Sequence, residues 1–208
     1  MTLEPQIAAG LAAMGIDLPV EAQARFAAHL ELIAKWNRVH NLTAVRDIGQ
    51  MVDLHLLDSL SVLPYLEASR TIVDVGSGPG LPGIPIAIAR PRAEVTLLDS
   101  SHKKCAFLRQ AKTELKLANV EVVCDRVEQW RPPRQFDAVI ARAFSELADF
   151  IIQAKHLVAP GGRLIAMKGV YPFEEIARVP ASHRVAQVLE LRVPRLEAKR
   201  HLVFVEAA

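Results

Sequence analysis

The residues best able to do chemistry in this 208-residue chain stand in the run Ile72-Val73-Asp74-Val75-Gly76-Ser77-Gly78-Pro79-Gly80-Leu81. A β-branched stretch meets three alternating glycines just before a helical pattern. Glycine allows a tight turn and close approach of backbone to a ligand, and the N–H groups that open a helix favour polar or anionic groups. In an open α/β sheet such a turn lies at the binding edge, beyond the carboxyl ends of the strands. A dinucleotide fingerprint, Gly-x-Gly-x-x-Gly, needs glycine at position 81; Leu81 stands there, and its side chain is expected to obstruct a pyrophosphate. Nineteen residues after Gly80, Asp99 closes a second apolar run, Val95-Thr96-Leu97-Leu98. A carboxylate at that point can accept from both hydroxyls of a ribose, or cap the helix starting near Ser100 and Ser101. Cys124-Asp125-Arg126-Val127-Glu128 follows a third run, placed either to read an adenine through backbone groups or as a surface turn. Arg142 ends a fourth run, able to clamp a carboxylate, a phosphate or a guanine edge, or to form an exposed ion pair. Lys168 has the analogous place after Leu164-Ile165-Ala166-Met167.

These residues need strands that end together. From Thr71 onward, strand-like runs at 71–75, 94–98, 120–124, 137–140 and 163–167 alternate with helical segments reaching Ala89, at 101–117 and at about 145–158. That alternation predicts a mostly parallel, seven-stranded sheet with helices on both faces. Residues 184–193 and 201–206 have no helix between them and read as an antiparallel hairpin finishing the sheet. Pro82 and Pro85 suit a first helical turn. In the helix at 101–117, Cys105, Leu108, Ala111 and Leu115 share the core face, while Lys104, Arg109, Lys112 and Lys116 point mostly to water.

Residues 1–69 read as a helical extension, and 70–208 as the catalytic domain. Pro19 opens a helix whose stripe is Phe26, Leu30, Ile33 and Ala34, and Asp47 caps another carrying Met51, Leu54, Leu57, Leu60 and Leu63. The polar, Asn-rich stretch Trp36-Asn37-Arg38-Val39-His40-Asn41-Leu42-Thr43 between them is expected to be a loop. The extension holds 4 Lys/Arg against 8 Asp/Glu and the remainder 21 against 15, a split that permits a nucleic-acid partner without demanding one. Apolar residues make up 51% and no run approaches a membrane span, so disorder and membrane classes are excluded. The start, Met1-Thr2-Leu3-Glu4-Pro5, lacks the pattern of a secretory signal, and two cysteines cannot alone build a disulfide framework or a zinc site. A soluble cytoplasmic protein with reduced thiols, and no metal, is expected.

The spacing Gly76-x-Gly78-x-Gly80 resembles motif I of class I S-adenosylmethionine-dependent methyltransferases, whose fold is Rossmann-like. A wider set of runs resembles one family, the bacterial 16S ribosomal RNA guanine-N7 methyltransferases, formerly glucose-inhibited division protein B. The runs are Lys35-Trp36-Asn37 with Asn41-Leu42-Thr43, His55-Leu56-Leu57-Asp58-Ser59, Asp74 through Gly83, Leu97-Leu98-Asp99-Ser100, Arg142-Ala143-Phe144 with Ser145, and Pro160-Gly161-Gly162. The resemblance implies cofactor contacts at Gly76, Gly78, Leu81, Val127, Glu128 and Arg142, with Asp99 at the ribose. It implies a target guanine in the decoding region of 16S RNA, met within the small subunit or its precursor. His55, Asp58, Ser59, Asn37 and Asn41 receive no role beyond joining the extension to the catalytic domain or touching substrate.

N7 of guanine carries a lone pair, so no general base is expected. Arg142 or Lys168 is expected to position the base through O6, with Lys168 better placed for RNA phosphate. Rival readings are a non-catalytic assembly factor, a methyltransferase on another substrate and a nicotinamide oxidoreductase.

Overall fold

A computed structural model describes residues 3–144 and 146–208. Its centre is a seven-stranded sheet in the order β3-β2-β1-β4-β5-β7-β6. Five strands are parallel: β1 (Thr71–Val75), β2 (Glu94–Asp99), β3 (Val120–Cys124), β4 (Phe136–Arg142) and β5 (Val158–Lys168). β6 (His183–Leu191) and β7 (Arg200–Ala207) form the expected hairpin, with β7 antiparallel to β5. The strand order therefore reverses beside β1, which puts the crevice of the sheet at the glycine turn.

Alternate strand residues face opposite ways and bury two apolar layers. Ile72, Leu97, Ile140, Ile165 and Phe204 join one core with the front of the chain: α1 (Glu4–Ala13), α2 (Val20–His40) and residues Met51 to Leu66. The same layer takes in α5 (Gly83–Ala89) and α6 (His102–Glu114). Val73, Val139, Leu164 and Val203 face the other way, onto Leu147, Phe150 and Ile151 of α7 (Leu147–Ala154). Helices thus cover both faces, and residues 3–66 share a single core with the sheet rather than a core of their own.

Two local expectations are corrected and one helix is added. Trp36 to His40 are helical, not loop: α2 continues to His40 and stops at Asn41, whose φ of 48° is left-handed. Asn37 is tolerated inside the helix because its side chain is buried and donates to Val45 O at 3.1 Å while accepting from Thr43 N at 3.0 Å. Asp47 does cap the next helix, accepting from Gln50 N. However, α3 (Ile48–Met51) passes into a π-helical stretch, Val52–Leu57, before α4 (Asp58–Leu60). A short helix unmarked by any sequence signal, α8 (Phe173–Ala177), follows β5. Ser145, at the expected start of α7, lies outside the described residues, as do Met1 and Thr2.

Candidate active site

β1 delivers the glycine turn to the carboxyl edge of the sheet, where Gly76, Gly78 and Gly80 all have positive φ (72°, 56° and 79°). A side chain at these angles is strained, which is why glycines alternate there. The turn is stitched to β2: Gly76 N and Ser77 N donate to Leu98 O at 2.8 and 3.1 Å, and Gly78 N donates to Asp99 Oδ2 at 2.9 Å. The other Asp99 oxygen accepts from Ser101 N, so a local turn contact exists as well. Lys104, expected to point to water, places its ammonium 3.6 Å from Asp99 Oδ2, so the carboxylate's remaining acceptor directions are shared between that charge and any hydroxyl.

Two buried groups brace this turn: His29, which sequence reasoning passed over, and Asp74, which it quoted without a role of its own. His29 of α2 meets Pro79 O at 2.9 Å through Nε2, which must donate because the carbonyl only accepts. Complete burial lowers the imidazole to about 4, more than the carbonyl contact raises it. Asp74 Oδ2 accepts from Gly83 N at 2.9 Å, and burial pushes its carboxyl up to about 7 against that hydrogen bond. Gly83 is required by packing: a Cβ would stand 2.3 Å from Leu97 and 2.8 Å from Asp74. The alternation of apolar residues around His29 was a readable sign of burial, but nothing in it named Pro79.

A polar cleft of about 500 Å³ opens over this turn, with Gly76, Asp99, Val127 and Glu128 in its lining beside Lys104 and Asp125. Four of the sequence-nominated residues are thereby brought together. Gly78 lies just behind, with its N–H on Asp99. Leu81 is turned into the core at 2% exposure and its N–H is bonded to Ser77 O. Its side chain therefore does not stand in the way of a pyrophosphate, and that ground for excluding a dinucleotide is withdrawn.

Arg142 lies next door. It lines a second cleft of about 490 Å³, together with Thr43, His55, Asp58, Met167 and His201. Its Nη1 donates to Leu54 O at 3.1 Å and to Asp58 Oδ2 at 3.2 Å. The carboxylate it clamps is thus the protein's own. Asp58, 4% exposed, also accepts at Oδ1 from Arg200 Nε at 3.0 Å, so one buried carboxylate joins the end of β4 to the start of β7. His55 Nε2 is 2.8 Å from Thr43 Oγ1, and burial, then the charge of Arg142, lowers the ring to about 4. Asn37 and Asn41 hold the 41–46 segment, the latter through Arg46 at 2.8 Å. Ser59 is wholly buried. Ala143 lines both clefts with a φ of 62°. Such a conformation in a residue other than glycine gathers at functional sites, and an alanine gives no sequence sign of it.

Lys168 is a correction. Its ammonium is 2.7 Å from Glu175 Oε2 and donates to Phe144 O at 3.2 Å, with the side chain only 11% exposed. That charge is spent inside the protein, so the expected phosphate contact is not available in this arrangement. Pro160-Gly161-Gly162 lines a separate cleft at the opposite edge of the sheet. Among the described residues, no group of three or more His, Cys, Asp or Glu could hold a metal ion, and no helix is long and apolar enough to cross a membrane.

The family model described as rRNA small subunit methyltransferase G matches residues 22–203. This chain belongs to that family. A curated family member from Aromatoleum aromaticum, named Ribosomal RNA small subunit methyltransferase G, is 57% identical over 201 residues, 95% of each chain. A protein of the same name from Laribacter hongkongensis is 53% identical over 98% of each. Among solved structures, an Aquifex aeolicus SAM-dependent methyltransferase aligns with a TM-score of 0.58 at 21% identity, over 74% of this chain and 92% of that one. The glycopeptide N-methyltransferase MtfA aligns at 0.62 and 12%, over 74% and 96%. At such identities these two speak for the fold, a class I methyltransferase fold.

Proposed function

We propose that this methyltransferase transfers a methyl group from S-adenosylmethionine to N7 of a guanine in 16S ribosomal RNA, acting in the cytoplasm on the small subunit or its precursor. The observation that carries the reading is the pair of adjoining clefts at the carboxyl edge of the sheet, separated at Ala143, in a chain of this family. The first cleft suits the cofactor in size and chemistry. About 500 Å³ is in the range of small-molecule sites, Gly76 leaves open space where a side chain would sit, and the Asp99 carboxylate is fixed by two backbone N–H groups. Asp99 would take the ribose hydroxyls, Val127 and Glu128 the adenine end, and Gly76 and Gly78 the backbone contacts. Bound there, S-adenosylmethionine supplies an electrophilic methyl group on a sulfonium sulfur.

The remaining work is positional. Guanine N7 attacks with a lone pair it already has, so no residue needs to remove a proton, and holding N7 near and in line accounts for several kcal/mol of the barrier. Arg142 is fixed by Leu54 and Asp58, yet a guanidinium has five N–H donors, leaving some for guanine O6. The second cleft would receive a base turned out of its stack. Mass spectrometry of 16S RNA from a deletion strain, with and without this protein restored, tests the reading. Restored guanine-N7 methylation is expected; an unchanged level would sink the substrate assignment. Failure of labelled S-adenosylmethionine to bind would revive a non-catalytic assembly factor.

A further inference from the structure

Directly after Lys168, the chain leaves the second cleft with Gly169-Val170-Tyr171-Pro172-Phe173; Lys168, Gly169 and His201 are part of the lining. Three large apolar side chains stand out of this short segment: Val170 is 78%, Tyr171 40% and Phe173 74% exposed. Elsewhere phenylalanine is used as core. Five of the seven phenylalanines are buried, Phe144 is half-buried and only Phe173 faces solvent. The Tyr171 and Phe173 rings sit 4.2 Å apart, centre to centre, and Tyr171 meets the buried His201 edge-on at 5.6 Å. The segment is pinned from below by Lys168 on Glu175, whose Oε2 also accepts from Leu147 N at 2.8 Å. α8 itself buries no residue, so the rings are not turned outward by packing needs of their own helix.

We propose that Tyr171 and Phe173 form a stacking platform for unpaired RNA bases flanking the guanine that enters the second cleft. The proposal rests on the reading of the protein as an RNA guanine-N7 methyltransferase. Single-stranded RNA is recognised largely by stacking splayed bases on aromatic rings, and every base offers a π face. Phosphate is disfavoured as the occupant, because the nearby cations are already paired, Lys168 with Glu175 and Arg178 with Glu174 and Glu146. A protein partner is disfavoured by size, since three side chains are far from the 20 to 30 residues a side of a stable interface, roughly. The platform lies beside the cleft and lines neither the glycine turn nor Asp99.

The test uses small ribosomal subunits from a strain lacking this methyltransferase. For Phe173→Ala, the subunit concentration giving half the maximal single-turnover rate should rise about tenfold, equivalent to about 1.4 kcal/mol. The saturated rate and the calorimetric affinity for S-adenosylmethionine should stay as in the wild type, and Phe173→Trp should restore the lost affinity. A photo-crosslinking phenylalanine analogue at position 173 should attach to 16S RNA. Unchanged half-saturation in Phe173→Ala, equal impairment by Trp and Ala, a fall in cofactor affinity, or crosslinks to ribosomal protein each overturn the platform. If the wild type itself leaves guanine N7 unmethylated, the functional reading fails; if it methylates and Phe173→Ala matches it, only the platform fails.

Discussion

The two clefts share an edge of the sheet and are assembled in opposite ways. The first is built mostly from turns that directly follow β1, β2 and β3, and is closed by Ala143 and Phe144 after β4 and by Gln153 of α7. The second draws on residue 43, residue 58, the end of β4, the end of β5 and residue 201, segments far apart in the chain. The first is held mainly by backbone donors on one carboxylate, Asp99; the second by side chains on another, Asp58. On the proposed reading, a cleft whose key carboxylate is fixed by backbone suits one invariant ligand, the cofactor. A site made of long side chains can instead fix donors in space for a base that has to be oriented.

The contrast can be broken experimentally, first at Asp58. Removing the carboxylate leaves two poorly exposed guanidiniums facing each other, so Asp58→Ala should lose about 3–5 kcal/mol of folding stability, read as a fall in the urea midpoint. Little change would mean that solvent screens the pair. Arg142→Ala should cut single-turnover methyl transfer about 100-fold or more at saturating RNA, which corresponds to about 2.7 kcal/mol of barrier. S-adenosylmethionine affinity should hold within about twofold; a collapse of that affinity would move Arg142 into the first cleft.

Asp99→Ala should weaken S-adenosylmethionine by about 1.5–3 kcal/mol in calorimetry. The Gly78 N–H loses its partner in the same variant, so some loss of thermal stability should accompany it. Unchanged affinity would leave Asp99 only its turn contacts. A subtler effect concerns pH. His29 has a folded pKa of about 4 against 6.5, so the unfolded chain binds the extra proton between these values. Stability from this group is full above 6.5 and is lost as pH falls toward 4, on the order of 3 kcal/mol. His29→Gln should therefore flatten the decline of the melting temperature across that window, and an unaltered slope would contradict it. Lys168→Ala should leave the salt dependence of RNA affinity untouched, because its charge is already paired. A slope shallower by about one phosphate contact would restore the role expected from its sequence position.

How much was legible follows from the same contrast. Most strand starts, the hairpin and the glycine turn could be read because local rules govern them: β-branched runs, missing side chains at positive φ, and Asp99 at a strand end; β5 is the exception, beginning at Val158 where the strand was expected only from 163. The helical state of Asn37 could not, since its stability comes from Thr43 and Val45 across a turn. Nor could the pairing of Asp58 with Arg200, which are 142 positions apart, or the use of Lys168 to hold Glu175. Leu81 was nominated as a cofactor contact, and the inward course of its side chain, which leaves only its backbone for such a contact, was not legible.

The bond from Arg200 to Asp58 also sets a timetable. A chain made from its amino end presents Asp58 early, then Arg142, and only much later the strand that carries Arg200 and His201. The glycine turn and Asp99 are complete once β2 and its neighbours have formed, whereas the second cleft lacks a wall until β7 adds to β5. During synthesis, the first cleft therefore has all its lining once α7 has followed β4, before the second gains the wall that β7 supplies.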